Sequence, residues 1–280
     1  MRIGIRLHDT APGTLEERLD FARAQGFSCV HLAMSKVIDG FGMSDAPALL
    51  ADDGLAARVR EAFSSRNMDC AVLGCYLSLA NRGEAALRRT QDIYRAHLRF
   101  ARAIGADVVG TETPAAFDAG AEWLTSDEAF GLFLRGVRPV ARWAEEEGAI
   151  LGIEPVCTHI ISTAERAQRL LEALNSDSVR IILDAVNLLT SDMTDRAGHV
   201  IDDAIRRLGD RVSVLHMKDF EDAPGKPRPR PIPCGTGRMN FDSLLRLAIR
   251  NDLPMTLENT SPGTAEAARL CLERAAEKLH

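Results

Sequence analysis

Eight short apolar, β-type segments alternate with amphipathic segments from one end of the chain to the other, and this rhythm restricts the fold more than any other feature. The segments are 2–7 (RIGIRL), 28–33 (SCVHLA), 69–76 (DCAVLGCY), 106–112 (ADVVGTE), 149–155 (AILGIEP), 180–184 (RIILD), 211–217 (RVSVLHM) and 254–259 (PMTLEN). Most show too little polar alternation to have a wet face, which is the pattern of parallel strands covered on both sides. Between them the periodicity predicts helices over 14–26, 54–66, 87–105, 126–148, 164–175, 200–209, 241–251 and 264–279. In the first, Leu15, Leu19, Phe21 and Ala22 make an apolar stripe and Gly26 supplies the stop. Eight β/α units in 280 residues fit an α/β fold of the (β/α)8 TIM-barrel type, as a single domain over 1–280. The competing architecture, an open doubly wound sheet, lacks support: no G-x-G-x-x-G follows the first strand and nothing marks a second domain.

Composition narrows the function. The chain is 46% hydrophobic, enough to bury a large core, and its net charge of −6 argues against a nucleic-acid surface. Cysteines 29, 70, 75, 157, 234 and 271 form no C-x-x-C pair and read as free thiols packed in the core. No charged leader and no apolar run of membrane-spanning length are visible, so a cytoplasmic, soluble protein is expected, with neither membrane nor nucleic acid as partner.

One segment breaks the rhythm. Residues 221–240 hold five of the twelve prolines and three glycines, and are expected to form a long loop without helix or strand. In a barrel such a loop lies on the active-site face, where Lys226, Arg228, Arg230 and Arg238 would bring positive charge toward an anionic substrate.

Because parallel barrel strands all end at one face, polar residues at their C-termini converge. The last four strands finish on Glu154, Asp184, His216 and Glu258, each directly after an apolar run. Taken singly, such an acid commonly caps the next helix or pairs with an arginine. Three carboxylates and an imidazole at one barrel mouth, however, would repel and shift one another unless a cation sat among them. One divalent ion resolves this, and an oxygen-rich set with one nitrogen suits Mn²⁺, Co²⁺, Mg²⁺ or Zn²⁺. His8 and Asp9 after the first strand and Glu112 after the fourth point to the same mouth and are candidates for substrate hydroxyls. Tyr76 would stack on a sugar or simply pack. His159, on the loop after Glu154, is placed behind the ligands or against substrate. His31, inside the second strand, reads as a satisfied core histidine; Trp123 and Trp143 read as packing, and His97 and His199 as surface groups.

The segments 151-LGIEP-155, 183-LDAVN-187, 215-LHMKD-219, 235-GTGRMNF-241 and 257-LEN-259, in this order and spacing, resemble the xylose isomerase-like TIM-barrel superfamily. The resemblance covers essentially the whole chain. That superfamily holds sugar phosphate isomerases and epimerases, among them ketose 3-epimerases, hydroxypyruvate isomerase and inosose dehydratase. The resemblance implies one divalent ion on Glu154, Asp184, His216 and Glu258. It also implies a metal-stabilised enediolate, with Glu154 and Glu258 passing a proton on and off a small polyhydroxy carbonyl substrate, a sugar, sugar phosphate or inosose. Lys218 either holds a substrate oxygen or pairs with Asp219 or another carboxylate. Lys218 and Asp219 are both expected beside His216 at the mouth. Many epimerases carry histidine where this chain has Asn187, so the substrate contact there is altered. The same change, and the lack of a D-x-H pair in the loop after strand seven, separate the chain from endonuclease IV, which shares the barrel. A lyase or dehydratase of inosose or 3-dehydroshikimate type, and a sugar-binding protein without turnover, stand as alternatives. Members of the superfamily often associate, so a homo-oligomer is possible.

Overall fold

The computed structural model describes residues 1–279; residue 280, included in the single-domain reading, lies outside the described residues. The strands are β1 (Ile3–Arg6), β2 (Cys29–Leu32), β3 (Asp69–Gly74), β4 (Val108–Thr111), β5 (Leu151–Ile153), β6 (Val179–Asp184), β7 (Val212–Met217), β8 (Asp219–Glu221), β9 (Arg230–Ile232) and β10 (Met255–Leu257). All but β8 and β9 close into a parallel barrel in the order β1-β10-β7-β6-β5-β4-β3-β2. The predicted barrel is therefore present, and the open sheet is excluded.

The outer layer contains α1 (Leu15–Ala24), α4 (Asp53–Ser64), α5 (Glu84–Ile104), α7 (Asp127–Glu147), α8 (Ala164–Leu174), α9 (Ala197–Leu208), α10 (Asp242–Asn251) and α11 (Ala265–Glu277). Short helical turns α2 (Met34–Val37), α3 (Ala46–Leu49) and α6 (Ala121–Leu124) occupy segments expected to be loops. Local chemistry sets the ends. Thr14 and Glu17 form a reciprocal capping box at the start of α1. Gly105 and Gly148 end α5 and α7 at φ of 75° and 63°, which glycine adopts without steric cost. In α1, Leu15, Leu19 and Ala22 are buried but Phe21 is half-exposed, because it falls to one side of the 3.6-residue stripe.

Strand parity divides the core. Outward residues such as Ile5, Val30, Leu73, Val109, Ile153, Leu183, Leu215 and Leu257 join the helices in the main hydrophobic cluster. Cys29, Ala71, Val72, Val108, Ile182 and Val214 form a separate cluster, which the pleat, broken at Ala71 by a register shift between β2 and β3, assigns to the barrel interior. Gly152 makes room there, since a Cβ on it would lie 2.9 Å from the Ile182 side chain. This plug forms a floor, and the next inward positions along each strand rise above it to the mouth. Gly136 of α7 has a different use: a Cβ there would lie 1.9 Å from the Leu79 carbonyl oxygen, so only glycine lets the helix approach that backbone.

The proline-rich segment after β7 is more regular than its composition suggests. Residues 219–221 and 230–232 pair antiparallel, Asp219 opposite Ile232 and Glu221 opposite Arg230. Prolines fit because Pro231 sits in a short two-stranded ribbon with a free edge. The six cysteines are free; four are buried and Cys157 and Cys271 half-buried. His97 is fully buried in α5, contrary to the surface position read from the sequence, and its Nδ1 lies 2.9 Å from the Ile93 carbonyl. Trp123 and Trp143 pack against the core as expected, each beneath an arginine. Among the described residues no helix is long and apolar enough to cross a membrane.

Candidate active site at the barrel mouth

The inward positions just above the floor carry the polar residues. Asp184 follows Ile182 by two residues and His216 follows Val214 by two, and the two are register partners across β6 and β7. Glu154 and Glu258 lie one residue beyond β5 and β10, held by backbone hydrogen bonds from Glu154 N–H to Thr111 O at 2.8 Å and from Glu258 N–H to Met217 O at 3.0 Å. Glu154, Asp184 and His216 are each about 1% exposed and Glu258 7%. The structure thus brings together the four strand-end residues singled out in the sequence.

Their spacing centres on His216. His216 Nδ1 lies 3.2 Å from Glu154 Oε2 and 3.3 Å from Glu258 Oε1, close enough for charge attraction but off the angle of a hydrogen bond. Among the described residues neither ring nitrogen of His216 has a hydrogen-bond partner, an unusual state for a buried imidazole. Donor atoms of Glu154, Asp184 and His216 all lie within 4.8 Å of one another, and so do those of His31, His216 and Glu258. Carboxylate oxygens this close to a buried imidazole whose nitrogens are unpartnered fit a divalent cation.

Protein cations neutralise part of the site. Lys218 Nζ, 5% exposed, lies 2.7 Å from Asp184 Oδ2, 3.2 Å from Glu258 Oε2 and 3.0 Å from Asn187 Oδ1. It therefore pairs with carboxylates, though not with Asp219. That residue turns away from the mouth, and its carboxylate accepts the N–H groups of Phe220, Gly235, Gly237 and Met239, organising the turn that follows β9. Asn187 is a junction: its Nδ2 donates to Glu154 Oε1 at 2.6 Å, and its Oδ1 accepts from Lys218 and, at 2.5 Å, from Arg228 Nη2.

Charge and burial tune these groups. Burial opposes the charge of His216, but the Glu154 and Glu258 carboxylates hold it up at about 9. Burial likewise works against ionised Glu258, yet Lys218 and His216 keep it well below the usual carboxylate range. Glu112 is pushed up to about 7 by burial and by the Glu154 and Glu258 charges. His159, 3.5 Å from Glu112, falls to about 4 through burial and the nearby Arg228.

The mouth opens into a cavity of about 650 Å³ lined by Arg6, His8, His31, Lys36, Tyr76, Glu112, Asn187, Lys218, Arg228 and Glu258, among others. His8, Glu112, Asn187 and Lys218 lie where the sequence suggested; His159 stands behind Glu112. Asp9 is occupied with Arg6, through bonds of 3.0–3.2 Å. Of the four basic residues in the proline-rich segment only Arg228 lines the cavity: Lys226 is exposed, Arg230 pairs with Glu221, and Arg238 pairs with Asp195 and Asp222.

His31 is the main correction. It is buried, but it belongs to the site: its ring stacks on His216 with centroids 5.4 Å apart, its Nε2 lies 3.3 Å from the Tyr76 hydroxyl, and its Nδ1 is unpartnered among the described residues. Gly74 leaves it space, since a Cβ there would lie 2.9 Å from His31 Nε2. Arg6, 3.6 Å from Glu258 Oε1, was also missed. Both carry the signal that identified the others, an inward position near the C-terminal end of a barrel strand, and they are register partners across β1 and β2.

Comparison with known proteins agrees with this geometry. The family model for the xylose isomerase-like TIM barrel matches residues 19–275. Among solved structures, the apo form of 3-keto-D-glucoside 4-epimerase from E. coli superposes with a TM-score of 0.74 at 16% identity, covering 98% of this chain and 99% of that one. A probable 3-DHS dehydratase from Bacillus anthracis gives 0.72 at 12% identity, with 98% of each chain covered. A xylose isomerase-like TIM-barrel protein from Mycobacterium smegmatis in complex with magnesium gives 0.71 at 16% identity, covering 100% and 97%. At these identities the likeness is one of fold. No curated protein sequence matches.

Proposed function

The chain belongs to the xylose isomerase-like TIM-barrel family, and from that premise we propose that it is a divalent-metal-dependent isomerase or epimerase of a small polyhydroxy carbonyl compound. The observation that carries the proposal is the buried convergence of Glu154, Asp184, His216 and Glu258 around the unpartnered His216 ring. Those four residues would hold one ion, Mn²⁺, Co²⁺, Mg²⁺ or Zn²⁺, with His31 a fifth donor within reach. When bound, the ion supplies Lewis-acid polarisation of a carbonyl and its neighbouring hydroxyl.

The chain's own residues would do the rest. Glu154 and Glu258 flank His216 Nδ1, so a substrate carbon above them meets two carboxylates, one to remove its proton and one to return it. Burial works against ionised Glu258, but Lys218, 3.2 Å from its Oε2, favours the carboxylate form that would act as a base. Asn187, by donating to Glu154 Oε1, leaves Oε2 turned toward His216. Lys218 stands beside the negative charge that deprotonation leaves on the enediolate. His8 and Glu112, which line the cavity, would meet substrate hydroxyls, with His159 3.5 Å behind Glu112.

A dehydratase is the second reading, favoured by Glu112, a half-buried carboxyl in the cavity lining whose burial favours the protonated form that would serve a departing hydroxyl. Product mass separates the two, since elimination loses one water and isomerisation loses none. The test begins with metal content. About one equivalent of divalent ion is expected in the parent and its loss in Glu154→Gln and His216→Ala. Ketoses and inososes are then screened in D₂O for deuterium at the reacting carbon. Full turnover by Glu258→Gln would sink the proton-transfer role.

A further inference from the structure

The charges lining the cavity do not balance, and the surplus lies in two places. The buried carboxylates of Glu154, Asp184 and Glu258 are matched by Lys218 together with one divalent ion. Arg6 is matched by Asp9, which it grips through both Nε and Nη2. Lys36 and Arg228 remain, and among the described residues neither has a carboxylate partner. Opposed to them in the lining is Glu112, whose neighbour is His159. A metal-loaded cavity thus keeps at least one uncompensated positive charge at its rim.

Arg228 is positioned for this excess in a way that surface arginines are not. It sits between Pro227 and Pro229, each with φ fixed by its ring. The backbone just before it is pinned to the segment after β6: Ser191 N–H donates to Pro227 O at 3.1 Å and Ser191 Oγ to Lys226 O at 2.7 Å. Just beyond it Pro229 is buried and β9 begins, paired to β8. One guanidinium nitrogen, Nη2, is spent on the Asn187 carbonyl oxygen. Arg228 lines the cavity, and among the described residues no carboxylate lies within ion-pair distance of its guanidinium. Arginine held by its backbone, half-buried and unpaired, is the usual means of gripping a planar or tetrahedral oxyanion. Lys36 lines the same cavity after β2 and adds a second, exposed cation.

We propose that the substrate carries an oxyanionic group, phosphate or carboxylate, and that Arg228, assisted by Lys36, binds it at the rim while the reacting carbons lie over Glu154 and Glu258. This rests on the cavity being the substrate site of the reading above, and it makes Arg228 a specificity residue that separates charged from neutral polyhydroxy substrates.

The test is calorimetric titration of Mn²⁺-loaded protein, freed of excess metal, with inorganic phosphate and separately with succinate. The parent is expected to bind at least one of them. Arg228→Gln should weaken that binding about tenfold or more with its Mn²⁺ retained, as the loss of a charge-assisted arginine contact does. Lys36→Gln, at an exposed position where folding is not at issue, should weaken it severalfold, and Arg230→Gln, already paired with Glu221, should leave it unchanged. Binding of phosphate alone identifies a phosphoryl group; binding of succinate identifies a carboxylate. Failure of the parent to bind either anion, or parent-like binding by Arg228→Gln, overturns the proposal. If Mn²⁺ itself does not bind, the functional reading fails separately, and the same titrations without metal still compare Arg228→Gln with Arg230→Gln.

Discussion

Replacing Lys218 by methionine isolates the electrostatics of the site. The side chain is 5% exposed, and its ammonium lies within 3.2 Å of Asp184, Asn187 and Glu258. Methionine nearly matches its length and apolar stem, so the main change is loss of one positive charge among three buried carboxylates. Breaking a buried ion pair from one side costs about 3–5 kcal/mol, because the carboxylates left behind lose the cation that offsets their burial. For 280 residues, an unfolding entropy near 2.1 cal/mol/K per residue gives about 0.6 kcal/mol/K at the midpoint, so the cost is a fall in Tm of about 5–8 °C. A divalent ion on the same carboxylates would supply the missing charge. Scanning calorimetry of parent and Lys218→Met, each in chelator and in saturating Mn²⁺, should show most of that fall in chelator and a much smaller one with metal. An equal loss under both conditions, or none in chelator, would refute the claim that Lys218 and a bound ion neutralise the same groups.

Other expectations follow from single features. His97 is fully buried, and burial lowers its pKa from 6.5 to about 4. A depressed histidine supports folding above pH 6.5 and withdraws that support as pH falls toward 4, so His97→Leu should shrink the difference in urea-unfolding stability between pH 7 and pH 4 by up to about 3 kcal/mol; an unchanged difference refutes this. Asp219→Ala strands the Phe220 N–H and three N–H groups of the turn, with an expected loss of about 2–4 kcal/mol and faster amide exchange over residues 235–239; native protection there would count against it. Gly136→Ala forces a Cβ onto the Leu79 carbonyl and should cost about 3 kcal/mol, where an ordinary helical Gly-to-Ala change stabilises.

The sequence by itself determined the barrel and the four polar strand ends that meet at its mouth. Eight apolar runs spaced by helical periodicity leave few ways to bury both faces of a parallel sheet, and strands that all end at one rim make their terminal residues neighbours without any alignment. Glu154, Asp184, His216 and Glu258 were legible for that reason. The direction of a side chain inside a strand was harder to read: His31 looked like core because it is apolar-flanked, and only closure of β2 beside β1 and β3 turned it toward His216. Asp219 looked like a member of the mouth because it is near His216 in sequence, yet successive strand residues face opposite ways, and three of the four N–H groups it serves come from a turn 16 to 20 residues away. Likewise four basic residues in one proline-rich loop were equivalent on paper. Pairing of β8 with β9 and the anchor on Ser191 decided that Arg228 alone faces the cavity while Arg230 and Arg238 meet surface carboxylates. Strand period and strand ends are local properties that sequence carries directly; which face a loop residue meets depends on long-range register and docking, and these exist only once the barrel has closed.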